Sequence, residues 1–158
     1  MKRAWEGTRR FPISASNVFW RTVPVLLPPA EHLDEEELRA ELQRRDDPKA
    51  ALDAAGKLAW LLRCKSGHKI DVAMLAVGNA RVLHMPGELF VEYQLAAKKM
   101  HSDLQVTMAA YGDCGPCYIG TARAYQEGGY ETSSRVSYVS PRVEEVLLGT
   151  IRQLLDAK

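Results

Sequence analysis

One short stretch of this sequence places a carboxylate on a turn of enforced geometry. It reads His84-Met85-Pro86-Gly87-Glu88. Proline and glycine together impose an abrupt strand-to-helix turn, and the pattern puts Glu88 at the start of the helix that follows. A carboxylate there is stabilised by the helix macrodipole. Glu88 therefore reads either as simple helix-end charge complementarity or as an anionic ligand or base held on a rigid turn. His84, in the strand just before, is the most suggestive of the four histidines, although a satisfied, partly buried ring is its simpler reading. His32, His68 and His101 fall in loops or at helix ends and read as surface residues.

A second stretch, Tyr111-Gly112-Asp113-Cys114-Gly115-Pro116-Cys117-Tyr118-Ile119-Gly120-Thr121, concentrates Gly, Pro and Cys between two elements. Such a composition implies a backbone of special shape. Cys114 and Cys117 have the spacing of the dithiol oxidoreductases, in which the first thiolate is activated near a helix N-terminus. That motif carries an aromatic residue before it and a Lys-bearing helix after it. Here Asp113 precedes and Tyr118 follows, so the pair is expected to fill a loop, with thiol–disulfide oxidoreduction the third reading. A structural zinc built on cysteines needs four ligands, and the third cysteine, Cys64, lies on an apolar helix and is expected to face the core.

The elements around these stretches follow from the hydrophobic pattern. Val18 to Leu27 reads as an edge strand, because Pro24 cannot donate to a ladder. Asp34 with Glu37 has the capping-box pattern of a helix start, and Asp47-Pro48 opens a second helix. Leu52, Ala55, Leu58 and Leu62 are expected to be its buried face, with Gly67 at its C-terminal end. The two helices form an αα-hairpin. Residues 1–17 show no clear period.

Ile70 to Val77 reads as a strand covered on both faces. Gly78-Asn79 then turns the chain into an antiparallel partner, Arg81 to Met85. A helix from about Glu88 to Met100 and a strand from Leu104 to Ala110 complete a strand-helix-strand crossover, whose strands must be parallel. Tyr111 to Gly120 reads as a loop and Thr121 to Glu127 as a short helix. A last helix, opened by Ser140 and Pro141, carries the stripe Val143, Val146, Leu147, Ile151 and Leu154. The fold class is therefore α/β with a mixed sheet and helices packed on it. Ligand sites in open α/β sheets lie beyond the carboxyl ends of the strands. Both special loops leave such ends.

The chain has 158 residues, enough for a single domain with a real core. Its formal net charge of +1 gives no electrostatic footprint for nucleic acid. No apolar run reaches the roughly 20 residues of a membrane span. No signal-peptide pattern opens the sequence and cysteines are few, so its own signals point to a cytoplasmic, reducing compartment.

Two segments together resemble the neutral/alkaline, non-lysosomal ceramidase family. One is Val82-Leu83-His84-Met85-Pro86-Gly87-Glu88-Leu89-Phe90. The other runs from Tyr118-Ile119-Gly120-Thr121 through Ala124-Tyr125 to Glu127-Gly128-Gly129-Tyr130-Glu131. The resemblance covers about residues 70–145. It implies hydrolysis of a lipid amide, N-acylsphingosine plus water giving sphingosine and a fatty acid, at a zinc ion held by two His, one Glu and one Tyr. By position Glu88 matches the Glu and Tyr118 the Tyr. His84, Tyr111, Asp113, Tyr130 and Glu131 become candidates for orienting those ligands or lining the pocket.

In that family the histidine ligands and a serine near the scissile amide lie upstream. No His-x-His-Ser-Gly stretch occurs in this sequence. The resemblance thus implies that residues 1–158 are the C-terminal part of a larger catalytic domain. Zinc is expected to be weakly bound or absent in the isolated chain, and a partner polypeptide is one possible source of the missing ligands. The alternative is a non-catalytic α/β accessory module or fragment.

Overall fold

The computed structural model describes residues 1–8, 10 and 12–156. Strand β1 (Val18–Val25) pairs antiparallel with β2 (Ile70–Val77), and β2 pairs antiparallel with β3 (Ala80–His84). β3 pairs in parallel with β5 (Gln105–Ala109), giving the order β1-β2-β3-β5. The mixed α/β sheet is as expected, and β1 with its Pro24 lies at the edge. A separate two-stranded parallel ladder joins β4 (Glu88–Leu89) to β6 (Tyr118–Ile119).

The helices are α1 (Lys2–Glu6), α2 (Glu35–Leu42), α3 (Pro48–Lys65), α4 (Val91–Met100), α5 (Ala122–Glu127) and α6 (Val143–Leu155). The segment without a sequence period thus holds the one-turn helix α1 and a 3-10 turn, Ala15–Asn17, both too short to generate one. α6 packs on β1 and β2, and α4 packs on β5 and α6. Beneath them Val72, Met74, Leu83, Val143, Leu147 and Ile151 are completely buried. Residues of β1 that point the other way, Val18, Trp20 and Thr22, are exposed. On β2, Leu75 and Val77 are only half-buried and Asp71 is exposed, so the expected cover on both faces of β2 is incomplete.

The αα-hairpin starts where its caps predict. Asp34 accepts the Glu37 N–H at 2.9 Å, and Asp47 accepts the Ala50 N–H at 3.0 Å. Each satisfies a donor that the first helical turn leaves free. Lys65 reaches Glu35 at 2.7 Å to tie the end of α3 to the start of α2. The buried face of α3 is a correction. It comprises Ala54, Leu58, Trp60 and Leu61, whereas Leu52 is 73% exposed and Leu62 also faces solvent. The segment is apolar enough around its circumference to allow either face. Trp60 decides between them, because its Nε1 donates to the Tyr138 carbonyl at 2.8 Å. Among the described residues no helix is long and apolar enough to cross a membrane.

Candidate functional site

β3 and β5 are parallel neighbours, so both loops leave the same edge of the sheet. They then fasten to one another through the backbone. The Met85 N–H donates to Ala109 O, Gly112 N–H to Met85 O, Tyr111 N–H to Gly87 O, and Gly87 N–H to Asp113 O. The ladder continues with Glu88 N–H to Cys117 O at 2.8 Å and Phe90 N–H to Ile119 O at 3.1 Å. In this register Glu88 stands directly opposite Tyr118.

Two expectations need correcting here. Glu88 is not at a helix start, because α4 begins only at Val91; Glu88 belongs to a strand, and helix-end charge complementarity does not explain it. The stretch Tyr111 to Gly120 is not all loop, because its end is β6. Both corrections have one cause. A two-residue ladder is created by the partner loop and leaves no periodicity in either sequence segment.

Gly87 is required at this corner. Its φ is +62°, and a Cβ there would lie 2.6 Å from the Cys117 carbonyl oxygen and 2.9 Å from Ile119 Cδ1. Tyr111 and Cys117 also have positive φ, +67° and +55°. Such conformations cost about 1–3 kcal/mol each in non-glycine residues and persist here because the cross-loop bonds hold them.

The Tyr118 phenol is held above its ordinary pKa, chiefly by its hydrogen bond to the Glu88 carboxylate and then by the charge of that carboxylate. The Glu88 carboxylate thus opposes ionisation of the phenol beside it at the sheet edge. The Tyr130 ring meets Tyr118 edge-on, with centroids 6.1 Å apart. Tyr111 is exposed and close enough to add to the upward shift at Tyr118. Tyr111, Tyr118, Tyr130 and Glu88 therefore gather into one surface cluster.

The other candidates stand elsewhere or serve other contacts. Burial pushes the Asp113 carboxyl up, but Arg63, the Gly115 N–H and the nearby His68 hold it below the usual carboxylate value. The Arg63–Asp113 pair is bidentate, with Nη1 to Oδ1 at 3.0 Å. Asp113 thereby ties its loop to α3. The His84 ring packs on Trp20, with centroids 4.9 Å apart, and lines an open cleft of about 680 Å³ with Arg63, His68 and Asp71. Glu131 is exposed. His101, expected as a plain surface residue, is half-buried and bonds Asp156 at 2.8 Å.

The cysteines are not placed as an activated catalytic dithiol. Burial pushes the Cys117 thiol up, partly offset by a hydrogen bond with Tyr138. The residues after Cys117 form β6, and α5 starts only at Ala122, so no helix N-terminus activates either thiol. Cys64 packs against the core, and burial pushes its thiol up to about 11, as expected of an inert core cysteine.

Several residues that fix β6 escape a local reading of the sequence. Ser137, almost completely buried, donates to the Tyr118 carbonyl at 2.9 Å and meets the Tyr125 hydroxyl at 2.7 Å. The Tyr93 hydroxyl donates to Gly120 O at 2.9 Å. Tyr125 has a signal through its place in the Ala124-Tyr125 segment, and Tyr93 has one only as part of the apolar face of α4.

Glu88 and Tyr118 offer two hard oxygen donors side by side. A catalytic zinc takes three protein ligands plus water. Among the described residues no group of three or more His, Cys, Asp and Glu side chains is placed to hold a metal. Two oxygen donors alone do not fit a catalytic zinc ion.

No protein-family model and no curated protein sequence matches the chain. Among solved structures, the fold is similar to that of the neutral ceramidase from Pseudomonas aeruginosa, with a TM-score of 0.50 and 15% identity. The match covers 87% of this chain and 28% of that one. A structure of a ceramidase complexed with C2 matches 54% of this chain and 14% of its own, at 16% identity and a TM-score of 0.47. The likeness is one of fold: the chain has a ceramidase-like α/β fold and spans under a third of the neutral ceramidase's length.

Proposed function

We propose that residues 1–158 form part of the catalytic domain of a zinc-dependent amide hydrolase of the neutral ceramidase type, acting on a lipid amide. The observation that carries this reading is the pairing of Glu88 with Tyr118 across β4 and β6, at the positions where the family resemblance puts a carboxylate and a phenol ligand. In this reading the pair supplies two oxygen donors. Imidazoles from polypeptide outside these residues supply the rest, since imidazole is the favoured partner of zinc among these groups. The isolated chain is then a poor zinc binder and an inactive amidase.

Calorimetric zinc titration with and without added imidazole tests this, alongside a short-chain ceramide hydrolysis assay. The expected result is weak binding by the chain alone, strengthened by imidazole only while Glu88 and Tyr118 are intact. Stoichiometric zinc in the isolated chain with chelator-sensitive hydrolysis would mean that other ligands complete the site. Equal zinc affinity in Glu88→Gln and Tyr118→Phe would remove the pair from the site altogether.

The second reading, a non-catalytic module docked on a partner, is favoured by one observation: Val18 and Trp20 on the sheet face away from α6 are exposed. Hydrolysis that appears once imidazole donors are restored would exclude it.

A further inference from the structure

We infer that Cys114 and Cys117 are a reversible disulfide site whose closure stiffens the ladder carrying Glu88 and Tyr118. The Cys117 N–H donates to the Cys114 carbonyl at 3.0 Å, closing a turn over Gly115 and Pro116. A turn so closed keeps its end Cα atoms within about 7 Å, the span that a disulfide bridges. Both thiols are free. Cys114 is exposed, its Sγ meeting the Tyr111 carbonyl at 3.5 Å, and Cys117 is half-buried beside Tyr138. The sites differ in access, so a small oxidant meets Cys114 first and Cys117 resolves. Cys64 lies on α3 against the core and has no such neighbour in sequence.

The co-reactant is a low-molecular-weight disulfide. The Cys114 thiolate attacks one of its sulfurs, the bond between those sulfurs breaks, and one thiol leaves. The Cys117 thiolate then attacks Cys114 Sγ and expels the second thiol. The protein dithiol loses two electrons and two protons, and the small disulfide becomes two thiols.

Closure reaches the candidate site through the main chain. The Cys117 carbonyl accepts the Glu88 N–H, and Tyr118 follows directly. The underside of the turn is already fixed, because a Cβ on Gly115 would lie 2.8 Å from the Trp60 ring. A four-residue covalent ring on this support suppresses the local opening that exposes the ladder amides.

The test equilibrates the full chain with mixtures of oxidised and reduced glutathione, blocks the remaining thiols by alkylation, and maps the peptides by mass. The expected product protects Cys114 and Cys117 as a pair while Cys64 stays alkylated. Hydrogen exchange at the Glu88 and Phe90 amides then slows by about tenfold on oxidation, and Cys114→Ser abolishes both effects. A stable glutathione adduct on Cys114 with Cys117 still alkylated, a bridge to Cys64, or no oxidation even in excess oxidised glutathione would overturn the site. A Cys114–Cys117 bridge that leaves exchange unchanged would overturn the coupling to Glu88. None of these outcomes depends on zinc, so the metal reading stands or falls separately.

Discussion

The helix-covered side of the sheet and the loop corner that carries Glu88 and Tyr118 are held by different forces. Under α6 and α4 the contacts are made by side chains: Val72, Met74, Leu83 and Leu147 are completely buried. At the corner Met85 and Ile119 are also buried, but the backbone adds six cross-loop hydrogen bonds in the stretch from Met85 to Phe90. The first kind of region responds to lost volume. The second responds to lost geometry and is nearly indifferent to the size of the side chains that face solvent. Chemistry that needs two oxygens in fixed relation suits the second kind, because the cross-loop hydrogen bonds set the register of Glu88 and Tyr118 directly.

Leu147 should separate the two regions most clearly. Leu147→Ala should cost about 3–4 kcal/mol through lost burial and the cavity left behind, read as a shift of the urea midpoint. The NMR signal of the Tyr118 ring should nevertheless stay where it is in the folded protein. Gly87→Ala should do the converse, costing about 2–3 kcal/mol and displacing the Tyr118 signal, since the new methyl meets the Cys117 carbonyl. Gly67 provides the control. Its φ is +73° but its Cβ direction is open, so Gly67→Ala should cost only about 1 kcal/mol. If Gly67→Ala and Gly87→Ala cost the same, close approach contributes nothing at the corner.

A smaller effect sharpens the contrast through pH. Asp113 has a depressed pKa in the fold. Its contribution is therefore fully present above the unfolded value, near 4, and is lost as pH falls through the lower folded value. The pair is partly solvated, so its worth is less than about 1 kcal/mol. Denaturation midpoints measured between about pH 2 and 5 should fall less steeply in Asp113→Asn than in the native chain. The smallest effect belongs to Leu52. Although apolar and at a helical spacing that suggests burial, it is exposed, so Leu52→Ser should change stability by less than about 0.5 kcal/mol.

Those variants also mark what the sequence could reveal. Asp34 and Asp47 announce their helices because capping is local chemistry. The parallel crossover from β3 through α4 to β5 follows from element order, and it suffices to bring both loops to one edge. The strand state of Glu88 does not follow, because its ladder partner is thirty positions away at Tyr118. The face of α3 was hidden for a related reason. Its stretch from Ala50 to Leu62 offers more than one apolar stripe, and the bond from Trp60 to Tyr138 that chooses among them spans 78 positions. Ser137 lies beyond local reading altogether, since its hydroxyl is committed to a carbonyl 19 residues earlier.

The pairing of Glu88 with Tyr118 is the feature on which the functional reading depends, and its most direct test is the titration of one phenol. With ring-labelled tyrosine, and Tyr118→Phe to assign the signal, NMR follows Tyr118 through its ionisation in the native chain and in Glu88→Gln. Tyr118 should ionise above the ordinary phenol value of about 10, because the carboxylate accepts its hydrogen bond and opposes its negative charge. Glu88→Gln should bring that value down. An identical titration in both chains would mean that the two side chains do not meet and would contradict the site.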